Sequence, residues 1–419
     1  MRRMGLLTPF RILSFCILML AGISAGVAQT ESSTGAVEPR QSGGQDQVSS
    51  ANGIAAPVID VWYGHRQVFR RRGVAIRWAN ILGKVTDPVG VFSLTYTLNG
   101  GPSVPLELGP NTRRLYGEGD FNIEMAWSGL SPLPDSNRVI ITAVNNNANI
   151  SRDTVIVKYQ PGTTWPRPYS VGWGSAANLL DSAQVVDGKW TKDAIGIHPA
   201  EVGYDRLVAI GDSTWTDYEV TVPITIHSID STAYTSPASG YPAVGMLLRW
   251  AGATDDPVPG QTPKEGFNPY GIIGFYSFKD DGSGARLELL RTGPKVATED
   301  FSGKTLQYNV AYNFKMSCVT LSNGTAFSMK VWQVGQAEPS TWDLISIESS
   351  PNMAVKGSMV LIAHHVDASF GRVNLRNVSA DATPPVISNV KVIPGRTTAE
   401  ITWTTDEPST TNPDWGKFF

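Results

Sequence analysis

Cysteine is nearly absent from this sequence. The 419 residues include two cysteines, and Cys16 falls in a segment that we expect to be removed, so Cys318 is left without an intramolecular disulfide partner. Stability must therefore come from buried apolar surface rather than from cross-links. Cys318 lies in an apolar run, which is typical of a small buried hydrophobic residue rather than of a reactive thiol.

Charge is also scarce, and neither sign dominates. Charged residues make up 17% of the chain, and the formal net charge is −3, whereas typical soluble domains contain about 25% charged residues. This balance offers no basic face and excludes nucleic acid as an implied partner. The hydrophobic content of 41% is high enough to build real cores and excludes global disorder.

The common catalytic and metal-binding motifs are missing. The sequence contains no Gly-x-Ser-x-Gly elbow, no phosphate-binding loop and no dinucleotide fingerprint. None of the five histidines has a zinc-type spacing, and His364 and His365, as neighbours in a strand, are expected to point to opposite faces. The sequence therefore predicts no metal site of this kind.

Long apolar runs are limited to the N-terminus. Arg2, Arg3 and Arg11 precede an apolar run at residues 12–20, and small residues follow up to Ala28. This pattern predicts a signal peptide at residues 1–28, because the run is shorter than the ~20 residues that span a bilayer. Residues 29–56 are rich in Ser, Gly and Gln, which is typical of a flexible linker. We expect a secreted or cell-surface protein with no membrane span in the mature chain.

What the chain does contain is glycine, proline and short alternating apolar runs. There are 41 glycines and 28 prolines, and turn residues separate apolar runs about every ten residues, which predicts β-sandwiches. We place the first sandwich at residues 57–160, a Pro-rich linker at 161–167, and a larger two-sheet jelly roll at 168–380. The best helical stretch is short, at residues 175–186. The predicted fold class is all-β, with several sandwich domains.

Residues 57–160 resemble the immunoglobulin-like modules of secreted bacterial proteins. The similarity lies in VTDP at residues 85–88, in LTYTLNGG at 94–101 and in VIITAVN at 139–145. The resemblance implies an immunoglobulin-like β-sandwich at this end of the chain.

Residues 168–380 resemble the concanavalin A-like lectin and glucanase superfamily, including its laminin-G-like members. The blocks that carry this similarity occur in the expected order: WTDYEV at 215–220, GMLLRW at 245–250, YGIIGF at 270–275, RLELLR at 286–291, GSMVLIAHH at 357–365 and FGRVNL at 370–375. The resemblance implies a central concanavalin A-like jelly roll with one concave sheet.

Residues 384–419 resemble the first two strands of a fibronectin type III module, with Trp403 as the core tryptophan. A whole module needs about 100 residues, so we expect this one to be incomplete.

The carboxylates of the sequence suggest two kinds of site, catalytic and calcium-binding. Glucanases of this superfamily usually have Glu-x-Asp-x-x-Glu on an inward-facing strand, and this run does not occur. Asp217 and Glu219 share one face of a strand, but that face is expected to be solvated, and Glu288 is also expected at the surface. Calcium is compatible with the acidic pairs Asp255-Asp256 and Asp280-Asp281, the second of which is expected in a hairpin turn.

Aromatic side chains on the predicted concave sheet are the remaining candidates for a ligand site. Sugar rings stack on indoles, while Arg and Asn bond their hydroxyls. By the superfamily resemblance, Arg249, Trp250 and Tyr276 are predicted as sugar-contacting residues. The leading hypothesis is a secreted, non-catalytic protein that binds an extracellular glycan or mediates surface adhesion, with the flanking modules as spacers. The alternatives are a polysaccharide hydrolase or lyase with an unrecognised carboxylate pair and a purely structural surface protein.

Overall fold

The structure is a computed structural model that describes residues 55–69, 73–111, 113–161, 165, 167–175, 178–235, 241–278, 285–293, 295–300, 304–378 and 387–405. The predicted signal peptide, nearly all of the 29–56 linker and the predicted turn at Asp280-Asp281 lie outside these ranges. Within them the regular structure consists of strands and short 3-10 turns, and no α-helix is present. The all-β prediction is confirmed.

The N-terminal unit is a sandwich of two sheets. Its strands are β1 (Val58–Val61), β2 (Arg66–Phe69), β3 (Trp78–Thr86), β4 (Val91–Leu98), β5 (Val104–Pro105), β6 (Asp120–Ala126), β7 (Asn137–Asn145) and β8 (Ile150–Tyr159). One sheet has the order β1-β3-β6 and the other β2-β8-β7-β4-β5. Alternation in β7 buries Val139, Ile141 and Ala143, which pack with Ile81 and Phe121 in one apolar cluster. The burial of one face of each sheet therefore forms the core of this unit.

The central unit is a larger sandwich. Its strands are β9 (Tyr169–Val171), β10 (Gln184–Asp187), β11 (Trp190–Lys192), β12 (Ile197–Pro199), β13 (Arg206–Ile210), β14 (Tyr218–Ile229), β15 (Ala243–Trp250), β16 (Tyr270–Phe278), β17 (Ala285–Arg291), β18 (Lys295–Asp300), β19 (Ala311–Leu321), β20 (Gly324–Gln333), β21 (Leu344–Glu348), β22 (Ser358–His364), β23 (Val366–Phe370) and β24 (Val373–Asn377). A seven-stranded sheet has the order β10-β13-β22-β15-β16-β17-β18. A nine-stranded sheet has the order β11-β12-β23-β14-β19-β20-β21, with β24 and β9 attached through β14.

The best helical stretch of the sequence, residues 175–186, forms no α-helix in its described part. The described part of this segment contains the end of a 3-10 turn at Trp173–Ser175, a second turn at Leu179–Asp181 and strand β10. Asn178 caps the second turn, because its side chain accepts the Leu180 N–H. Val185 and Val186 are both fully buried, so pairing of β10 with β13 and packing on both faces outweigh the weak helical pattern. Further 3-10 turns lie at Trp127–Gly129 and Ser231–Thr235.

Both faces of the seven-stranded sheet are buried in its middle. On β16, Ile272 and Tyr276 belong to the core between the two large sheets. Ile273 and Phe275, on the opposite face, belong to a separate cluster that includes Ile76 of the N-terminal unit. Since alternate residues of a strand point to opposite faces, the sheet has an inner face toward the core and an outer face that other segments partly cover.

The N-terminal unit packs directly against the central unit. The Trp78 indole Nε1 donates to the Ala253 carbonyl at 2.7 Å, and the Asn122 amide donates to the Val186 carbonyl at 2.9 Å. The Ser213 N–H donates to the carbonyl of Val74 at 2.7 Å. These contacts were not expected from the sequence, which suggested that this unit acts only as a spacer.

The described residues after 386 form a two-stranded hairpin of β25 (Ile387–Pro394) and β26 (Ala399–Thr405). This hairpin lies in the segment that resembles a fibronectin type III module. Its apolar side chains are largely exposed, with Ile387 at 60% and Val392 at 57%, whereas Trp403 is half-buried.

In the described part of the chain, no helix has the length and apolar character needed to cross a membrane.

Candidate functional site

A cleft of about 590 Å³ lies on the outer face of the seven-stranded sheet. Strands β13, β22, β15, β16 and β17 contribute its floor, the loop at residues 251–269 forms one wall, and the N-terminal unit adds Arg113 and Arg114. The loop and the N-terminal unit therefore cover part of the outer face and leave an open cleft above the rest.

Ala243 is a small residue in the floor of the cleft. In the sheet register, Ala243 on β15 pairs with His364 on β22 at one side and with Ser277 on β16 at the other. Since neighbouring strands lie about 4.8 Å apart, the His364 and Ser277 backbones are separated by about 10 Å. A small residue between two larger polar ones produces a trough with hydrogen-bonding groups on both sides.

The first side of the trough is built around His364. Its Nδ1 lies 2.7 Å from Oδ1 of Asp205, and its ring meets the Tyr204 ring edge-on with centroids 4.9 Å apart. The neighbouring Asp205 carboxylate, and then burial, raise the pKa of the Tyr204 hydroxyl. Tyr204 therefore remains protonated across the physiological range and can donate or accept a hydrogen bond.

The second side of the trough is built around Glu288. The Ser277 hydroxyl donates to Oε1 of Glu288, and Arg286 Nε donates to Oε2 at 3.1 Å. Alternation in β17 places Arg286 and Glu288 on the outer face, opposite Leu287 and Leu289 in the core. The expectation of surface placement for Glu288 is wrong: it is 5% exposed, because the outer face is covered rather than solvated.

An aromatic cluster closes one end of the cleft. The Trp250 and Phe267 rings lie 4.9 Å apart, and Phe267 meets Tyr270 at 5.6 Å. The Trp250 indole donates to the Phe267 carbonyl at 2.9 Å, which fastens the 251–269 loop to the sheet. Tyr241, which also lines the cleft, is 44% exposed. It therefore offers an aromatic surface at the rim.

The three residues predicted as sugar contacts lie in different places. Trp250 lines the cleft but is 1% exposed, whereas Arg249 and Tyr276 are 0% and 1% exposed and do not line it. The register shifts between Leu247 and Trp250, and Arg249 has a φ of 57°. This local irregularity sends Trp250 outward and Arg249 inward, against simple alternation.

The side chains of Arg249 and Tyr276 lie in the interior of the sandwich and make hydrogen bonds there. The Arg249 guanidinium donates to Oδ1 of Asp217 at 3.0 Å and to the Thr325 hydroxyl at 2.8 Å. The Tyr276 hydroxyl accepts the Leu306 N–H at 2.9 Å. The candidate site therefore keeps Trp250 as a supporting wall residue and leaves Arg249 and Tyr276 out.

The expected separation of His364 and His365 is wrong. His365 has a φ of 54° and ends the alternation of β22, so the two rings lie 4.8 Å apart, edge to face. His365 Nδ1 lies 3.3 Å from Asp230 Oδ2, so each histidine has its own carboxylate. Among the described residues, no group of three or more His, Cys, Asp or Glu side chains is arranged to hold a metal ion.

Asp217, Glu219 and Asp255 each lie against a basic side chain. The Asp255 carboxylate lies 3.1 Å from Lys264 Nζ. Glu219 is 8% exposed rather than solvated and contacts Lys315 Nζ at 2.8 Å, while Asp217 contacts Arg249. Asp217 and Glu219 therefore face different cations.

The chain matches no protein-family model and no curated protein. Similar solved structures include the carbohydrate-binding module CBM66 from Bacillus subtilis, with 14% identity, a TM-score of 0.31, and coverage of 47% of this chain and 96% of that one. The exoplasmic/lumenal domain of VIP36 in its Ca2+/Man-bound form has 11% identity and a TM-score of 0.32, covering 59% and 99%. A structure described for carbohydrate-binding modules of the beta-sandwich superfamily has 8% identity and a TM-score of 0.18, covering 78% and 98%. At these values the likeness does not identify a ligand for this chain.

Several cleft residues were missed by sequence reasoning. Tyr204 and Asp205 come from one segment and His364 from another, and the pairing of β13 with β22 brings the two segments together. The sequence could have predicted that Arg286 and Glu288 share one face of β17, because both alternate with leucines. The sequence contained no sign that another segment covers this face.

Proposed function

We propose that this chain is a secreted or cell-surface protein that binds an extracellular glycan in the cleft without cleaving it. The observation that carries the proposal is the trough at Ala243, with polar groups at both sides and aromatic side chains at the rim and end. Sugar-binding sites combine such hydrogen-bonding groups with an apolar surface for the ring. The location outside the cell rests on the N-terminal sequence pattern.

The polar groups on the trough sides suit sugar hydroxyls. Asp205 and Glu288 offer carboxylate oxygens as acceptors, while Tyr204 and Ser277 supply hydroxyls. Each group is held by a neighbour, which lowers the entropy lost when a ligand is bound. The cleft therefore supports recognition of a hydroxyl-rich ligand by groups that are already in position.

Binding of the full chain to arrays of plant, algal and microbial polysaccharides tests this proposal. We expect binding to at least one glycan and a loss of about tenfold in affinity for Tyr241→Ala. Phe92→Ala provides the matched control, because Phe92 is 74% exposed on the N-terminal unit and does not line the cleft. Silence across the arrays, or equal losses in the two variants, would overturn the proposal.

A polysaccharide hydrolase is the second candidate, and one observation favours it. The carboxyl groups of Asp205 and Glu288 stand on opposite sides of Ala243, and a pair of carboxyl groups is what glycoside hydrolysis requires. Release of reducing ends from the glycan that binds is the discriminating measurement. The hydrolase requires release that Glu288→Gln abolishes, whereas the binding protein leaves the polymer intact.

A further inference from the structure

The N-terminal unit supplies one wall of the cleft. Arg113 and Arg114, from the loop between β5 and β6, line it together with Tyr204 and Asp205 of the central unit. The cleft is therefore formed by two units, and its shape depends on how firmly this loop is held.

Arg114 fixes the loop in place. Its Nε donates to Asp187 Oδ1 at 2.9 Å and its Nη1 donates to Glu124 Oε1 at 2.9 Å. The Arg114 side chain is 8% exposed, and its Nη1 also donates to the Lys264 carbonyl. Since Glu124 belongs to β6, Asp187 to β10 and Lys264 to the 251–269 loop, one guanidinium joins three segments around the cleft.

The backbone of Arg113 is held from two further directions. The Arg113 N–H donates to Asn111 Oδ1 at 3.0 Å, and its carbonyl accepts from Arg206 Nη2 at 3.3 Å. Arg206 is 2% exposed, so this contact comes from a buried group. The backbone of Arg113 is consequently held in place at the edge of the cleft.

The Arg113 side chain is exposed, and Arg113 lines the cleft. Its charge acts on the Tyr204 hydroxyl, whose pKa it lowers against the stronger effects of Asp205 and burial. In the ranges that the structure describes, no carboxylate lies within ion-pair distance of its guanidinium. Binding a ligand group would therefore break no existing ion pair of Arg113.

We propose that Arg113 is a ligand-contacting residue and that the N-terminal unit forms part of the glycan site rather than acting only as a spacer. This inference rests on the proposed function. A guanidinium presents donors in a planar fork that can bond two adjacent acceptors. Vicinal sugar hydroxyls are such acceptors, and Arg113 would bind them from the side opposite the sheet.

The test compares Arg113→Ala and Arg113→Lys with the wild type in the full chain, using a glycan that the wild type binds. We expect Arg113→Ala to weaken binding about tenfold or more and Arg113→Lys to weaken it less, because lysine keeps the charge but loses the fork. Both variants should melt at the wild-type temperature, since the altered side chain is exposed.

Arg138→Ala is the matched control, because Arg138 is an exposed arginine on β7 of the same unit that does not line the cleft. Its affinity should equal that of the wild type. If Arg113→Ala binds as tightly as Arg138→Ala, the inference is wrong while the proposed function stands. If the wild type binds no glycan, the proposed function itself fails.

Discussion

The Arg114 guanidinium of the N-terminal unit lies 2.9 Å from the Asp187 carboxylate of the central unit. The side chains of Arg114 and Asp187 are 8% and 2% exposed, and the nearby Glu124 side chain is 1% exposed. Buried carboxylates are costly without a cation. Separating the two units would therefore leave buried charges unpaired, at a large cost in free energy.

Arg114→Met should strongly destabilise the protein. The variant leaves Asp187 and Glu124 buried without their shared cation, and we expect a loss of about 3–5 kcal/mol in the free energy of unfolding. Chemical denaturation of the full chain measures this free energy of unfolding. Arg138→Ala should stay within about 0.5 kcal/mol of the wild type. A loss under about 1 kcal/mol for Arg114→Met would contradict the structural role given to this pair.

The variant Arg249→Met tests whether Arg249 stabilises the fold or contacts the sugar. In the structure the Arg249 guanidinium serves Asp217, Thr325 and the Thr216 carbonyl, so its loss should cost about 3 kcal/mol in the free energy of unfolding. Glycan affinity of the folded fraction should not change. A variant with wild-type stability and weakened glycan binding would show that Arg249 contacts the ligand after all.

Tyr276→Phe should also lower the stability of the fold without changing glycan affinity, but by a smaller amount than Arg249→Met. The change removes the acceptor for the buried Leu306 N–H, and an unsatisfied donor costs about 1–3 kcal/mol. Thermal melting and glycan titration of the variant test this together. We expect a lower melting temperature with unchanged affinity, and the reverse pattern would place Tyr276 in the site.

Acidification should destabilise the fold through His365. Burial, and then the neighbouring His364, lower the pKa of His365 below its ordinary value of about 6.5, against the opposing effect of Asp230 and Asp205. A histidine with a lowered pKa in the folded state gives stability that is present above pH 6.5 and is lost as the pH falls from that value through the lower pKa of the folded state.

His365→Asn tests this pH dependence, because asparagine tolerates the positive φ at this position and does not titrate. Denaturation curves at pH 8 and pH 5 should show a smaller loss of stability on acidification for the variant than for the wild type. Parallel losses in the two proteins would rule out His365 as the source.

Much of the fold was readable from local sequence. Alternation predicted β7 and β17, and turn residues predicted the breaks between strands, because side-chain direction in a strand depends only on its period of two. The prediction failed where neighbours decide the outcome. Pairing with β13 turned part of the expected helix at 175–186 into strand β10, and a local register shift turned Arg249 inward.

The candidate site was far less predictable. Trp250 was found because it is an indole on a strand of the expected concave sheet, but its exposure and that of Tyr276 could not be inferred from their types. Arg113 and Arg114 lie in a different unit from the sheet that they face. Nothing in local composition indicates a contact between segments so far apart in the chain.

The amino-acid sequence by itself determined the strand content, the division of polar and apolar residues between strand faces, and the absence of the usual catalytic motifs, since each depends on residue type and short-range spacing. The tertiary structure alone decided which polar face became a cleft. Asp205, His364, Ser277 and Glu288 acquire a common role because the sheet register and the docked N-terminal unit place them around one small residue, Ala243. Such long-range packing depends on the whole chain.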